Sequence, residues 1–173
     1  MKIATLSKSS YNPYYQMYID ILGDVNLTTQ LRDGLEDFKT IVGNIAEDKL
    51  TYAYAENKWT VSELIMHMID TERIFQYRAL RFSRNDMTPL EGFEQDDYIP
   101  ECNAPKRSIN SLLNEFTAVR NSTISLFESF NDNSTILNRE GIASGSKMSV
   151  AALGFIISGH LKHHLSILQN RYL

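Results

Sequence analysis

Three of the four histidines lie near the end of the chain, in the stretch ISGHLKHHLSILQNRYL. His160 and His164 are four residues apart, a spacing that places two side chains one turn apart on the same face of a helix. His163 could also chelate a metal together with His160, from a spacing of three. We prefer His164 because it continues the apolar stripe of Ile157 and Leu161, whereas we expect His163 at the solvent-facing edge. The spacing of His160 and His164 suits two ligands of one metal ion.

The fourth histidine, His67, lies on the apolar stripe of an earlier helix and would point into the same core. Three imidazoles without a fourth protein ligand are typical of a catalytic zinc site, because structural sites are normally closed by four ligands. A metal makes water nucleophilic near neutral pH and holds a thiol as thiolate, so hydrolysis and thiol transfer are both open. The pattern alone also fits three core histidines that satisfy ordinary hydrogen bonds.

Other reactive side chains surround His67 in the sequence. A hydrolase needs a general base, and Glu63 and Asp70 lie one turn before and one turn after this histidine. Glu63 could instead cap its helix, and Asp70 could orient a ligand's second ring nitrogen. Among the arginines of this helix, Arg78 is the candidate to face inward and pair with a cofactor carboxylate, with an outward ion pair as the alternative.

The remaining candidates are interpreted as structural. Cys102 lies between Glu101 and Asn103, and no cation nearby in the sequence favours its thiolate. The aromatic segments YNPYYQMY and TYAYAENKW could line a pocket, but such residues at the ends of a bundle usually pack against the core.

Four amphipathic stripes must position these residues. Apolar residues recur at spacings of three and four within residues 27–45, 60–82, 109–130 and 150–168, which predicts four long helices. The second helix is the best marked, because Thr60 and Glu63 form a capping box at its start. No strand-like alternation of comparable length appears. The sequence therefore predicts an all-α fold, a four-helix bundle around a shared core.

The link between the second and third helices is unusually long. It runs from about Asn85 to Lys106, contains three of the four prolines and shows no helical stripe. Such a link either crosses the end of the bundle or acts as a lid. We expect residues 1–173 to form a single domain, in which residues 1–26 are an N-terminal extension with a short helix at Tyr14 to Leu22.

Composition excludes several kinds of partner. Seventeen basic against 21 acidic residues give a net charge of -4, which provides no broad positive surface for nucleic acid. No apolar run approaches the ~20 residues that cross a bilayer, so no membrane partner is expected. The start of the chain lacks the apolar core of a signal peptide, and the single cysteine agrees with a reducing compartment. These features predict a cytoplasmic protein.

Three blocks of the sequence resemble, in family order, the DinB-like superfamily in its branch of YfiT-type metal-dependent hydrolases. The blocks are KWTVSELIMHMIDTERIFQYRALRFSRNDMTPLEGFEQDDY, EFTAVRNSTISLFESF and ISGHLKHHLSILQNRYL. The resemblance covers the chain from about Leu27 onward. It implies a four-helix bundle that holds a divalent metal, usually zinc or nickel, through one histidine of the second helix and a His-x-x-x-His of the last. By position these ligands are His67, His160 and His164.

The resemblance leaves the reaction open. The superfamily includes S-transferases that use low-molecular-weight thiols and a mycothiol-dependent isomerase, beside the hydrolases. It therefore implies a small-molecule substrate, a divalent metal cofactor and, for a transferase, a low-molecular-weight thiol. Oligomers are common in the family, so a homodimer is reasonable. The competing hypothesis is a noncatalytic helical bundle that binds a metal or a ligand.

Overall fold

The computed structural model describes residues 1–173 and is mostly helical. Two of the long helices are α2 (Leu27–Gly43) and α3 (Val61–Ser83), preceded by the short α1 (Gln16–Asp20). The other long helices are α5 (Ile109–Glu128) and α7 (Val150–Ile167), while α4 (Gln95–Tyr98) and α6 (Ser134–Leu137) are single turns. Two strands, β1 (Glu140–Ala143) and β2 (Ser146–Ser149), precede α7. A π-helical turn at Leu168–Tyr172 follows α7.

The four long helices form a bundle, as the sequence predicts. Helices α5 and α7 each pack against both α2 and α3, so α2 and α3 lie on opposite sides of the bundle. The predicted stripes supply the core, with Phe38 of α2 and Phe116 of α5 stacked at 3.7 Å between ring centroids. Each stripe is buried by its neighbours because an amphipathic helix cannot cover its apolar face alone. None of the helices is long and apolar enough to cross a membrane.

Helix α3 begins at the capping box that the sequence predicts. The Thr60 hydroxyl accepts a hydrogen bond from the Glu63 amide, and the Glu63 carboxylate accepts one from the Thr60 amide at 2.7 Å. Helix α7 begins similarly, since the Ser149 side chain accepts from the Ala152 amide. The two caps fix where each helix starts and therefore which side chains it presents to the other.

Helix α7 is the central element of the fold. It contacts α1, α2 and α3, and every residue from Val150 to Leu161 is buried. Helix α1 lies against α7 next to Gly159, where an added Cβ would come within 1.9 Å of the backbone oxygen of Tyr18. The absence of a side chain at Gly159 thus lets the N-terminal segment cover α7 beside His160.

A β-hairpin, which the sequence analysis did not predict, leads into α7. Strands β1 and β2 pair antiparallel, with Glu140 opposite Ser149 and Ala143 opposite Ser146. Ser144 and Gly145 turn the chain with positive φ values of 50° and 70°, as a tight hairpin turn with the strand twist requires. Strands of four residues are too short to show a recognisable alternating pattern in the sequence.

The link between α3 and α5 is held against this hairpin. The Leu90 amide donates to the Ile142 carbonyl at 2.9 Å, and the Ser144 amide donates to the Leu90 carbonyl at 3.0 Å. Helix α4 and two 3₁₀ turns, Ile99–Glu101 and Ala104–Lys106, lie within the link. The long crossover expected from the sequence is therefore present, and it contains local helical turns that no stripe indicated.

Candidate metal centre

The structure brings together three histidines from two helices. Nε2 of His67 on α3 lies 3.0 Å from Nε2 of His160 and 3.2 Å from Nε2 of His164, both on α7. The three ligand atoms lie within 4.8 Å of one another, and no cysteine or carboxylate joins the group. The spacing of four between His160 and His164 places both rings on the face of α7 that meets α3.

Burial keeps these imidazoles neutral. Burial lowers the pKa of His67 from 6.5 to about 4. Burial, followed by the neighbouring His67 and His163, lowers the pKa of His164 to about 3. Burial and the neighbouring histidines also hold the pKa of His160 well below its usual value. Neutral imidazole is the form that binds a metal, so the three rings are ready to bind one at neutral pH.

The geometry of the three nitrogens fits a divalent metal. In a tetrahedral site with metal–nitrogen bonds of about 2.0–2.1 Å, ligand nitrogens lie roughly 3.3 Å apart, close to two of the observed separations. Without a cation, three neutral rings meeting at Nε2 cannot all make good hydrogen bonds to one another, because each has one N–H. The donor set thus matches a metal better than a hydrogen-bonded polar cluster.

The Nδ1 atoms of His67 and His164 have few polar neighbours. The Thr71 hydroxyl, one turn after His67 on α3, lies 3.4 Å from Nδ1 of that histidine. A proton on this Nδ1 leaves the Nε2 lone pair free toward the other two rings. Nδ1 of His164 is buried and has no hydrogen-bond partner.

Aromatic rings form the walls around the histidines. Trp59 packs against His67 at 4.7 Å between ring centroids, and Tyr18 meets His160 edge-on at 5.5 Å. His163 also contacts Tyr18 and lies at the edge of the group, where the sequence analysis expected it. Tyr18 and Trp59 come from the two aromatic segments that were interpreted as structural. That interpretation was incomplete, because the fold places both rings against the candidate ligands.

Neither carboxylate proposed as a general base contacts a histidine. Glu63 is bonded to Thr60 in the capping box. Asp70 accepts a hydrogen bond from Arg73 at 3.5 Å, and burial raises its pKa. The thiol of Cys102 donates to the Ile99 carbonyl, and burial raises its pKa, in keeping with a structural thiol.

Two cavities flank the histidines. A cavity of about 240 Å³ reaches His160 and Thr71 from the side of α1 and the hairpin, where Arg78 and Ser144 line it. A second cavity of about 300 Å³ reaches His164 from the side of Trp59 and Tyr172. The long link contributes Glu94 to the first cavity and Asp96 to the second. Both acidic residues are exposed, and neither lies on a helical stripe that sequence analysis could have recognised.

Arg78 faces inward, which was one of the two alternatives for this residue. It is 2% exposed and lines the first cavity, so the outward ion pair is excluded. Its Nη2 donates to the Glu91 carbonyl at 3.2 Å and to the Ser144 hydroxyl at 2.8 Å. The Ser144 contact was not predictable from the sequence because the hairpin itself was not.

Comparisons with known proteins agree with this architecture. A family model described as the DinB superfamily matches residues 30–168. Among solved structures, one described as "YfiT from Bacillus subtilis is a probable metal-dependent hydrolase with an unusual four-helix bundle topology" superimposes with a TM-score of 0.74. The two sequences are 12% identical, and the match covers 83% of this chain and 82% of that chain. At this identity the likeness concerns the fold alone. No curated protein matches the sequence.

Proposed function

The chain belongs to the DinB superfamily, and on this premise we propose that it is a metal-dependent hydrolase of small molecules. His67, His160 and His164 hold the divalent metal, zinc or nickel, through their Nε2 atoms. The observation that carries the proposal is the convergence of these three nitrogens, two of them on buried histidines, with no carboxylate or thiolate among them. A three-histidine site leaves a coordination position for an exchangeable ligand, which is the arrangement of catalytic centres.

A divalent metal bound there supplies a Lewis acid that polarises a substrate and makes water or a thiol nucleophilic near neutral pH. The chain's own residues provide the surroundings. Thr71 orients His67 through Nδ1, and Trp59 and Tyr18 shield the rings from bulk water. Shielding strengthens electrostatic interactions inside the site, because fewer water molecules screen them.

The link between α3 and α5 supplies the candidate proton acceptors of the hydrolase. Glu94 and Asp96 are the carboxylate residues that line the two cavities next to His160 and His164. Glu63 and Asp70 have other contacts, so neither is assigned this role. A base on the link can approach a substrate in the cavity without being a metal ligand itself.

Hydrolysis is favoured over thiol transfer because the structurally similar YfiT is described as a probable metal-dependent hydrolase. Thiol transfer and a low-molecular-weight thiol cofactor stay predictions from the sequence resemblance. So do the homodimer, the cytoplasmic location and the single domain over residues 1–173. A noncatalytic metal-binding bundle would share the histidine geometry but would turn over no substrate.

Turnover distinguishes these functions. Untagged protein, loaded with zinc or nickel, is assayed on a panel of aryl esters and anilides, with and without a low-molecular-weight thiol. We expect hydrolysis that needs no thiol, disappears on chelation and is absent from His67→Ala. His163→Ala is the matched control, since it removes a histidine beside the site and should retain activity. Activity only with thiol would assign the transferase, and metal binding without any turnover would favour the noncatalytic bundle.

A further inference from the structure

Two arginines are almost completely enclosed by the bundle, and only one of them has a counter-charge. Arg120 on α5 is 0% exposed and donates to both carboxylate oxygens of Glu72 at 2.7 Å, with a further bond to the Leu31 carbonyl. Arg78 on α3 is 2% exposed, and no carboxylate lies within 4.0 Å of its guanidinium. Removal of a charge from water is unfavourable unless the charge is paired, so the lone Arg78 requires an explanation.

The contacts of Arg78 hold the guanidinium in place without neutralising it. Nη2 of Arg78 donates one hydrogen bond to the Glu91 carbonyl and one to the Ser144 hydroxyl, and both acceptors are neutral. The guanidinium carbon also lies 5.3 Å from the centroid of the Phe75 ring and 6.0 Å from that of Phe93. The Tyr15 hydroxyl is a further neutral neighbour of the guanidinium, and because the planar fork carries five N–H donors, some of them remain available to a ligand.

Arg78 keeps its charge in this environment. Burial lowers its pKa, an effect that the neighbouring Tyr15 hydroxyl opposes, but a guanidinium is still protonated at neutral pH. An unpaired positive charge inside a partly enclosed cavity attracts anions more strongly than one at the surface, since less water screens it.

The cavity connects this charge to the histidines. Arg78, His160 and Thr71 line the same space of about 240 Å³, whose walls carry Tyr15 and Phe75. On α3, Arg78 follows His67 by eleven residues, roughly 16 Å along the helix axis. Side chains of a helix point toward its N-terminus, so the Arg78 fork leans back toward the histidines. One small molecule can therefore reach both.

We propose that Arg78 binds the carboxylate or phosphate group of a small aromatic or apolar molecule, whose reactive part extends through the cavity toward His160. The guanidinium fork matches both anions in geometry, and the aromatic walls suit the rest of the molecule. That this molecule is the substrate rests on the proposed function. The anion site itself depends only on Arg78 and the cavity.

The β-hairpin positions Arg78 for this role. Ser144 lies at the tip of the hairpin, where the chain turns with a φ of 50°, lines the same cavity and accepts a hydrogen bond from Arg78. The exposed carboxylate of Glu94 also lines this cavity and makes no bond to Arg78. Removal of that negative charge should therefore strengthen anion binding rather than weaken it.

Calorimetric titration with benzoate, phenyl phosphate and neutral benzamide tests the anion site. Each probe is added to the full chain, both as metal-loaded protein and after the metal has been stripped. Stripped protein distinguishes binding at Arg78 from direct coordination of the anion by a metal. Variants Arg78→Met and Arg78→Lys are compared with Arg84→Met, which removes an exposed arginine just past the end of α3. Melting curves establish that each variant is folded.

We expect at least one anion to bind stripped wild-type protein at least tenfold more tightly than benzamide, and the tighter anion identifies the class. Arg78→Met should lose at least tenfold in anion affinity, with benzamide affinity unchanged. Arg78→Lys should be intermediate because it keeps the charge but not the fork, and Arg84→Met should resemble wild type.

Equal anion affinity in Arg78→Met and wild type, or anion binding that requires metal but not Arg78, would overturn the proposal. Absence of anion binding in both forms of the wild-type protein would do the same. Absence of bound metal from purified protein would contradict the proposed enzyme but not this site.

Discussion

Nε2 of His67 on α3 lies 3.0 Å from Nε2 of His160 on α7, across a sequence separation of 93 residues. The contact exists because the capping box of α3, the Ser149 cap of α7 and the bundle packing bring two buried rings together. Three neutral rings that meet at Nε2 cannot all donate to one another, whereas a divalent cation between them could bind all three lone pairs. The stability and the metal affinity of this protein should both reflect that difference.

Acid should destabilise the metal-free protein. The pKa is about 4 for folded His67 and about 3 for folded His164, against 6.5 in the unfolded chain, so the unfolded state binds more protons below pH 6.5. The unfolding free energy should fall with decreasing pH by about 1.4 kcal/mol per histidine and per pH unit, down to about pH 4. Urea unfolding of chelator-treated protein between pH 5 and 7 measures this slope.

The control for the acid effect is His160→Ala/His164→Ala, which removes two of the four histidines whose pKa is lowered in the folded chain. Its stability should depend on pH much less than that of wild type over the same range. Parallel pH profiles for the two proteins would show that other groups cause the acid sensitivity.

Thr71→Val should weaken metal binding without unfolding the protein. The substitution removes the hydroxyl that lies 3.4 Å from Nδ1 of His67, while the volume of the side chain stays nearly the same. Partners of this kind typically contribute about 10–100-fold in metal affinity, because they fix the orientation and tautomer of the ligand. Competition with a chromophoric chelator measures the dissociation constant.

Thr123→Val is the matched control for Thr71→Val. Thr123 is also fully buried on a long helix, but its hydroxyl donates to the Val119 carbonyl and not to a histidine. The metal affinity of Thr123→Val should equal that of the wild-type protein. A similar loss in both variants would mean that Thr71 acts only through packing.

Glu63→Ala should affect stability but not metal content. The Glu63 carboxylate accepts a hydrogen bond from the Thr60 amide, so loss of this carboxylate should destabilise α3 by about 1 kcal/mol. Metal content and turnover per folded molecule should stay at wild-type levels, because Glu63 has no contact with a histidine. Urea unfolding and steady-state assays measure the two effects, and a large loss of kcat at unchanged stability would restore Glu63 as a candidate base.

Gly159→Ala should separate α1 from α7. A Cβ at this position would lie 1.9 Å from the Tyr18 backbone oxygen, a contact that no side-chain rotation can relieve. We expect the unfolding free energy to fall by more than about 2 kcal/mol, since the N-terminal segment must shift. Hydrogen exchange should increase at residues 14–22. Gly43→Ala, whose Cβ would meet only Leu113 at 4.0 Å, should be neutral or slightly stabilising.

The fold was predictable from the sequence where the signals are local and periodic. The spacing of three and four in the stripes defined the four long helices, and the Thr60 and Glu63 pair defined the start of α3 within one residue. The spacing of four between His160 and His164 placed both on one helix face, and the stripe of α3 added His67. These inferences depend on helix geometry alone and do not require knowledge of the packing.

The remainder of the site depends on contacts between segments that are distant in the sequence. Tyr18 reaches His160 only because Gly159 admits α1, and Ser144 reaches Arg78 only through a hairpin of two four-residue strands. Asp96 of the link lines the same cavity as His164, although the two residues are distant in the sequence. No short pattern encodes such contacts, since they arise from the packing of the whole chain.

Bound metal in the untagged protein is the most direct test of the central claim. Elemental mass spectrometry is applied to wild type, His163→Ala and His160→Ala/His164→Ala, purified identically, with circular dichroism to establish that each is folded. We expect close to one zinc or nickel ion per chain in wild type and in His163→Ala, and none in the double variant. Absence of metal from wild type even after reconstitution, or its retention by the folded double variant, would contradict the assignment of His67, His160 and His164 as a metal centre.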